Sequence, residues 1–347
     1  MSDVLPNLVD WARMADPDGL IADIAMMLAQ CNEMLTDMIW HPGNLPLGHK
    51  VSANVSLPQG TWRGNNQGVA STKPNFQQYQ FGIGELVAYS KVDKSEAMLN
   101  GDIGRFRLMQ DQTHIEGLSQ QMSTALLYAN EATDINQFTG FMPYYATATT
   151  SNAQSAKNVL DAGGTGSNNA SILLVGWGDT TTFGIFPKGS QAGLLYEDKG
   201  DVTPLYDSNN NRFEGYTSYF CWKAGLVVRN WQYNVRIANI DTTTAGLQGS
   251  TPPDLYALMA RAVKRLPTLT KRASGITTVD APNDPSPGIN PAFYVNRTVG
   301  EYLDIEAIRQ KNVLLSPTEY AGQPIVEFRG IPIRTVDAML NTESRVV

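Results

Sequence analysis

The sequence predicts an α+β protein: helical and strand-rich stretches follow one another without the regular alternation of a parallel βαβ chain. Three observations carry this. Residues 102–132 keep helical apolar spacing over an unusual length. Residues 49–91 alternate apolar and polar positions around a glycine-rich middle. Ser171 to Asp241 is a succession of apolar and aromatic runs of strand length.

Taken in order, residues 1–45 open with a helical stretch. Leu20, Ile24, Met27, Leu28, Cys31, Met34, Leu35 and Met38 recur at spacings of three and four. Asp16-Pro17-Asp18 supplies its start and His41-Pro42-Gly43 its stop. Next, Val51, Ala53, Val55 and Leu57, then Tyr79, Phe81 and Ile83, alternate with polar partners across a polar stretch from Gln59 to Pro74. This pattern predicts a long β-hairpin with a mobile tip. A lone two-stranded ribbon buries too little apolar area to stand in water, so a neighbouring subunit is its expected cover. The 102–132 helix carries Leu108, Ile115, Leu118, Met122, Ala125, Leu126 and Ala129 as one stripe, with Gln110, Asp111, Gln112, Gln120 and Gln121 on a wet face. At about 1.5 Å per residue it spans about 40 Å, against a mean globular helix of about 11–12 residues.

Residues 150–170 are rich in Ser, Asn and Gly, with a short helical insert around Ala156 to Ala162, and form a loop or lobe boundary. The strands that follow include Ile172–Val175, Phe183–Phe186 and Leu226–Val228, continued by Tyr233, Val235, Ile237 and Ile240. Helices are expected over 253–266, between Pro252-Pro253 and Pro267, and over 299–312, with Val299, Leu303, Ile305 and Ile308 on one side. Residues 268–290 are polar with three prolines, and Ile325 to Leu340 reads as a strand pair.

Composition narrows the function classes. The chain has 347 residues and 42% hydrophobic content, enough for a large buried core. Its 17% charged residues fall below the roughly 25% of ordinary soluble domains, leaving weakly polar surface for burial against partners. The net charge is −7 with no basic run, so a phosphate-gripping patch for sequence-specific nucleic-acid binding is not expected. Asp3 and Asp10 stand where a leader would be basic, and no apolar run reaches the roughly 20 residues of a membrane helix. Folding in a reducing cytoplasm, with no membrane, is the expectation.

Nothing points to catalysis, a cofactor or a metal. His41 and His49 flank a Pro/Gly turn and His114 lies mid-helix, without ligand spacing. No G-x-S-x-G elbow occurs. Cys31, on an apolar stripe, and Cys221, between Phe220 and Trp222, read as buried, inert thiols. Gly163-Gly164-Thr165-Gly166 lacks the P-loop spacing. Asp207–Asn211 starts like a calcium loop but has Arg212 and Ser218 where Gly and Glu are needed, so a turn is expected. His114 and Glu116, two apart on a helix, face different directions.

Several segments together resemble the major capsid proteins of tailed bacteriophages with the Hong Kong 97-like fold, closest to a short-tailed group. They are Met109–Leu118 in the long helix, Leu174–Gly178 with Gly184–Gly189, Gly225–Arg229 leading to Val235–Ile240, Phe293–Arg297, and Gly330–Arg334. The resemblance implies an N-terminal arm over 1–48 and an extended loop over 49–91. It implies a peripheral domain over 92–170 with its spine helix at 102–132, long shared strands over 171–245, and axial helices and closing strands over 246–347. The long strands precede the axial helices here, a permuted order of the same architecture.

It also implies a virion subunit, made in the host cytoplasm, that assembles as hexamers and pentamers into an icosahedral shell. That shell would meet packaged double-stranded DNA non-specifically on its inner face and work with portal, scaffold and decoration proteins. No cross-linking pair is identifiable, and Lys73 at the hairpin tip reads as solvated. Trp62, Phe76, Tyr79 and Phe81 are the expected assembly contacts. Two other readings stay open: an encapsulin-like nanocompartment shell enclosing protein cargo, and a soluble hydrolase with an unrecognised Ser/His/Asp set.

Overall fold

The computed structural model describes residues 30–98, 102–148, 154–200, 203–206, 209–243, 246–247, 249, 252–267, 289–309, 315–320 and 323–347. The first elements are α1 (Met34–Asp37), β1 (Trp40–Pro42), β2 (Gly48–Ser56), β3 (Asn75–Gly82), β4 (Gly84–Asp93), α2 (Lys94–Ala97), α3 (Ile103–Tyr128) and α4 (Phe141–Tyr144). They lead into β5 (Val159–Asp161), β6 (Asn169–Trp177), β7 (Thr182–Phe186), β8 (Leu194–Asp198), β9 (Thr203–Tyr206), β10 (Arg212–Val228) and β11 (Asn234–Asp241). The chain closes with α5 (Leu255–Arg265), β12 (Asn290–Val295), α6 (Arg297–Arg309), β13 (Leu315–Tyr320), β14 (Gln323–Phe328) and β15 (Ile331–Thr335). The long strands precede α5 and α6, the order expected from the sequence. Of the helix expected over 18–38, only 34–37 is helical among the described residues, and positions before 30 lie outside them. The proline-rich stretch 268–288 also lies outside.

Every residue of β6 is buried, which is why Ile172–Val175 reads as an unbroken apolar run rather than an alternating one. Strands β11 and β12 pair antiparallel on its two edges. Ala170, Ile172 and Leu174 join a cluster with Leu258 and Met259 of α5 and Val299 and Leu303 of α6. Leu173, Val175 and Trp177 join another with Met122 and Leu126 of α3 and with Met34 and Met38. The sheet therefore has helices on both faces, and α3 is anchored over its centre.

A second blade of the same sheet is carried by β10, an unbroken strand of 17 residues. Its last positions, Gly225–Val228, pair with β7 in the central sheet. Its earlier positions pair with β4, from Gly215↔Asp93 to Ala224↔Gly84, and with β8 and β9. The stretch 84–91, expected as part of the hairpin, is thus a strand of the main sheet.

Helix α3 starts where Asp102 accepts the Arg105 amide at 3.0 Å. Its packing corrects the single apolar stripe expected from spacing. Leu108 and Ile115 are exposed, and Asp111 is buried, accepting the Ser218 hydroxyl at 3.0 Å. The reason is that α3 has two partners on different sides. Phe106, Asp111 and Leu118 of its first part are buried, with the β10 blade beside them. Met122, Ser123, Leu126 and Leu127 of its second part turn a different face into the central core.

At the end of α3 the chain folds back through Gly140, whose amide donates to the Ala129 carbonyl at 2.7 Å. A Cβ there would stand 2.7 Å from the carbonyl oxygens of Ala125 and Leu126. Gly140→Ala is expected to destabilise the subunit by about 1–3 kcal/mol. A denaturant midpoint unchanged by the substitution would contradict so close an approach. The expected helical insert at 156–162 is a 3-10 turn, Gln154–Asn158, running into β5.

A buried polar node ties α3 to the sheet. Arg236 on β11 and Glu343 form an ion pair at 2.9 Å, each side chain 5% exposed. Ser171 donates to the same Glu343 oxygen, and Arg236 also donates to the Tyr145 carbonyl at 2.9 Å and to Ser171 at 3.1 Å. Tyr128, in the last turn of α3, donates to the other Glu343 oxygen at 2.5 Å and accepts the Leu340 amide at 2.9 Å. Burial first, and Glu343 next, hold the Tyr128 phenol far above its ordinary range, so it stays a donor.

Candidate assembly interface

The β2–β3 ribbon is a sheet of its own, paired antiparallel from Gly48↔Gly82 to Ser56↔Asn75. At about 3.3 Å per residue the ladder alone reaches about 27 Å from its base. Residues 54–80 are all exposed, so neither face of the outer ribbon has cover within the described chain. Trp62 is fully exposed, Phe76 66% and Leu57 80%, with Val55, Val69 and Tyr79 also outward. The structure separates the four residues expected as assembly contacts. Trp62, Phe76 and Tyr79 lie on the open ribbon. Phe81 is buried at its base, clustered with Val51, Phe183, Ile185 and Val227 and 6.3 Å from the Tyr144 ring.

The base is held by specific contacts. The Asn44 side chain clamps Lys50 both ways, accepting its amide at 2.7 Å and donating to its carbonyl at 2.8 Å. The rings of His41 and His49 both meet Phe183 edge-on, at 5.1 and 5.5 Å. His41 Nε2 lies 2.8 Å from Asp179, while His49 Nδ1 is buried without a hydrogen-bond partner.

Burial, reinforced by Arg229 and His41, holds His49 below the ordinary imidazole value of 6.5. The docked base therefore takes up a proton less readily than a released ribbon. Docking is at full strength above pH 6.5 and weakens as pH falls below it. Amide exchange in 48–52 and 79–82, corrected for intrinsic rates, is expected to be faster at pH 5 than at pH 7.5, with the difference lost in His49→Leu. Equal protection at both values would refute this.

A second exposed apolar surface was not singled out from the sequence. On the blade, Ser218 and Phe220 of β10 face α3, where Phe220 stacks with His114 at 6.2 Å. The alternate positions face away. There Cys221 pairs with Val87 and Leu195, and Tyr219 with Tyr89 and Glu197. Val87, Tyr89 and Leu195 are exposed, and the Tyr89 and Tyr219 rings lie 5.0 Å apart. The one sequence signal for this patch is that β4 carries apolar residues on both its faces, Leu86 and Ala88 on one and Val87 and Tyr89 on the other.

The remaining sequence candidates resolve as structure. Cys221 is buried, its thiol donating to Glu85 at 3.2 Å. Cys31 is exposed, a correction, because the chain around it runs along the surface with the thiol toward Glu33. Glu116 accepts from Gln120 at 2.8 Å and from the Gln30 amide at 3.1 Å, and so engages no histidine in these bonds. Gly163 and Gly164 donate to Asp161 and to the Asn239 carbonyl, closing a loop onto β11. Of the calcium-like stretch, 209–211 form the turn into β10 and 207–208 lie outside the described residues.

The family model described as major capsid protein GP7 matches residues 16–347. A solved structure of bacteriophage Epsilon15 is 31% identical, with 100% of this chain and 98% of that chain covered and a TM-score of 0.74. The capsid of bacteriophage JBD30 covers 93% of both chains at 11% identity and a TM-score of 0.46. The SrpI encapsulin complex of Synechococcus elongatus PCC 7942 covers 67% of this chain and 95% of that one, at 10% identity and a TM-score of 0.41. The last two are too distant to carry an argument. No curated protein matches the chain.

Proposed function

Because this chain belongs to the major capsid protein GP7 family, we propose that it closes an icosahedral phage shell as rings of six and five copies, each copy holding the next by its β2–β3 ribbon. It is a phage major capsid protein of Hong Kong 97-like α+β fold, a structural subunit of the virion that assembles with itself. In this reading the ribbon is the extended loop, α3 the spine of the peripheral domain, and α5 and α6 part of the axial domain.

The observation that carries the proposal is a 27-residue run, 54–80, exposed along its whole length while bearing Trp62, Phe76 and Tyr79. Its proposed seat is the outward blade of a neighbour, at Val87, Tyr89 and Leu195. Both surfaces are apolar, and both are open in a single chain. A specific contact buries about 1,200–2,000 Å². At about 25 cal/mol per Å² of apolar area the gross gain is large, and most of it is offset by lost motion and ordering. A modest surplus per contact suffices when every copy makes several contacts in a closed surface.

The charge of −7 per copy opposes closure and makes for a wall to which packed double-stranded DNA does not adhere. Assembly is therefore expected to be favoured by moderate salt, since the Debye length falls to about 8 Å at 0.15 M. Equal yields at very low and moderate ionic strength would argue against this. Portal, scaffold and decoration proteins are the partners proposed, and the host cytoplasm the place of synthesis. The nanocompartment alternative is not favoured, because the matched family is that of phage major capsid proteins. Electron microscopy of the protein expressed alone and with its neighbouring genes tests the proposal. Closed shells with pentameric corners, dense with DNA when packaged, are expected. Monomers under all conditions, or shells filled with protein cargo, would overturn it.

A further inference from the structure

We propose that α5 and α6 carry the two halves of a head-to-tail contact, the basic outer face of α5 in one copy meeting the acidic outer face of α6 in the next around each ring. This rests on the ring assembly proposed above and names a surface that closes it.

The buried side of α5 is formed by Leu255, Leu258, Met259, Ala262 and Leu266. A helix turning 100° per residue puts Arg261, Lys264 and Arg265 around the other side, and all three are exposed. Arg265 donates to the carbonyl of Lys157 and, at 3.2 Å, to that of Val159, so the exposed Lys157 adjoins the same patch. Burial first, and the Arg261 charge next, hold the Arg265 guanidinium below its ordinary range. On α6, Val299 and Leu303 are buried, while Glu301 and Asp304 are exposed. Among the described residues, none of Lys157, Arg261, Lys264, Glu301 and Asp304 has an ion-pair partner. Arg297, at the start of α6, is already paired with Asp337 at 2.6 Å.

The two faces lie at opposite ends of one helical layer. Tyr256 points from α5 to α6 and donates to the Leu303 carbonyl. Arg261, five positions on, is turned about 140° from it and so faces away from α6, on the side where Arg265 reaches β5. Helix α6 connects the parallel neighbours β12 and β15, across β6 from β11 and β5. Opposite charges at opposite ends match head to tail, the arrangement that closes rings.

The helix dipole accounts for Lys264 and Arg265 in the last turn of α5. It does not account for Arg261, nor for Glu301 and Asp304, which lie past the first turn of α6. Arg261 and Lys264 are three positions apart, as are Glu301 and Asp304, so two helices laid side by side bring both pairs together. Pairs in direct contact keep their attraction at 0.15 M salt, where a Debye length of about 8 Å already screens the longer-range repulsion between copies.

Charge exchange in the full chain tests this. Arg261→Glu with Lys264→Glu, and separately Glu301→Lys with Asp304→Lys, are each expected to lower the yield of closed shells about tenfold or more, because each sets like charges against each other. The four changes in one chain are expected to restore closure. An equal mixture of the two double variants has a sharper outcome. Opposite faces then meet only where the variants alternate, so rings of six form and rings of five do not, and micrographs are expected to show sheets or tubes in place of closed shells.

Closed shells at normal yield from either double variant would overturn the proposal while leaving the shell reading in place. A fourfold variant as defective as the double ones, or a mixture that closes with pentameric corners, would equally overturn it. Normal empty shells that package less DNA after Arg261→Glu with Lys264→Glu would overturn it and assign the basic face to nucleic acid. Monomers under all conditions from the unaltered chain would overturn both readings. The neutral pair Arg261→Gln with Lys264→Gln introduces no repulsion and is expected to slow assembly with the subunit's melting temperature unchanged, and an unchanged assembly rate would count against the contact.

Discussion

Trp62→Ser is expected to leave the subunit folded and to remove most of its capacity to form shells. The indole is fully exposed in the single chain, so its loss deletes no intramolecular packing, and the change in subunit stability should stay within about 0.5 kcal/mol. In the assembled shell a buried Trp is the kind of anchor whose truncation costs about 2–4 kcal/mol at one contact. Every copy repeats that contact, so a loss of this size lengthens the lag of assembly and lowers its yield steeply.

Phe76→Ser is expected to act in the same direction with a smaller effect, and Phe81→Ser differently. Phe81 belongs to the core at the ribbon base, with Phe183 and Val227, so its truncation should unfold or loosen the subunit, at about 3–5 kcal/mol. Circular dichroism of the dissociated subunit beside light scattering of assembly separates the two outcomes. If Trp62→Ser melts the subunit, or leaves assembly at its normal rate, the ribbon is not the clasp.

Glu343→Ala should be the most damaging single change in the core of the subunit. Glu343 and Arg236 are both nearly inaccessible to water. Removing the carboxylate leaves a guanidinium buried against Ser171 and the Tyr145 carbonyl, neither of which carries a compensating charge. Breaking such a pair from one side costs about 3–5 kcal/mol. The same change strips the Tyr128 hydroxyl of its acceptor and so loosens the last turn of α3.

Glu343→Gln keeps oxygen and nitrogen where the two carboxylate oxygens stood and should cost less than Glu343→Ala. Urea unfolding of the dissociated subunit measures both. A loss below about 1 kcal/mol for the alanine variant would mean that water reaches the node.

The long helix was legible because 26 residues, Ile103–Tyr128, contain no proline and only two glycines. Which of its sides is buried was not. Periodicity locates apolar residues on a helix, but Leu108 and Asp111 exchange their expected environments because the β10 blade approaches α3 from one side and the central core from another. The ribbon was legible from alternation, and its exit point was not. Tyr79 and Phe81 obey the same two-residue period, yet one is outside and the other inside, because Phe183 and Val227 come from strands more than 100 residues away. For the same reason β4 read as hairpin: its ten-residue pairing with β10 joins segments some 130 positions apart. The polar node left one trace, a charged residue in the middle of the otherwise apolar run Val235-Arg236-Ile237. Such a residue demands a buried counter-charge, but nothing local points to Glu343. The patch of Val87, Tyr89 and Leu195 had to wait for the register that brings three strands together.

Strand β10 hydrogen-bonds to the central sheet at one end and to the blade along the rest, with no loop between the two. The two regions consequently have no joint at which to pivot. A load applied to the blade, by a neighbour's grip or by pressure from packed genome, reaches the middle of the molecule as torque along a single extended backbone. Each copy should then yield by twisting, as a leaf spring does, and the stiffness of the particle would be set by how far that one strand can be wrung.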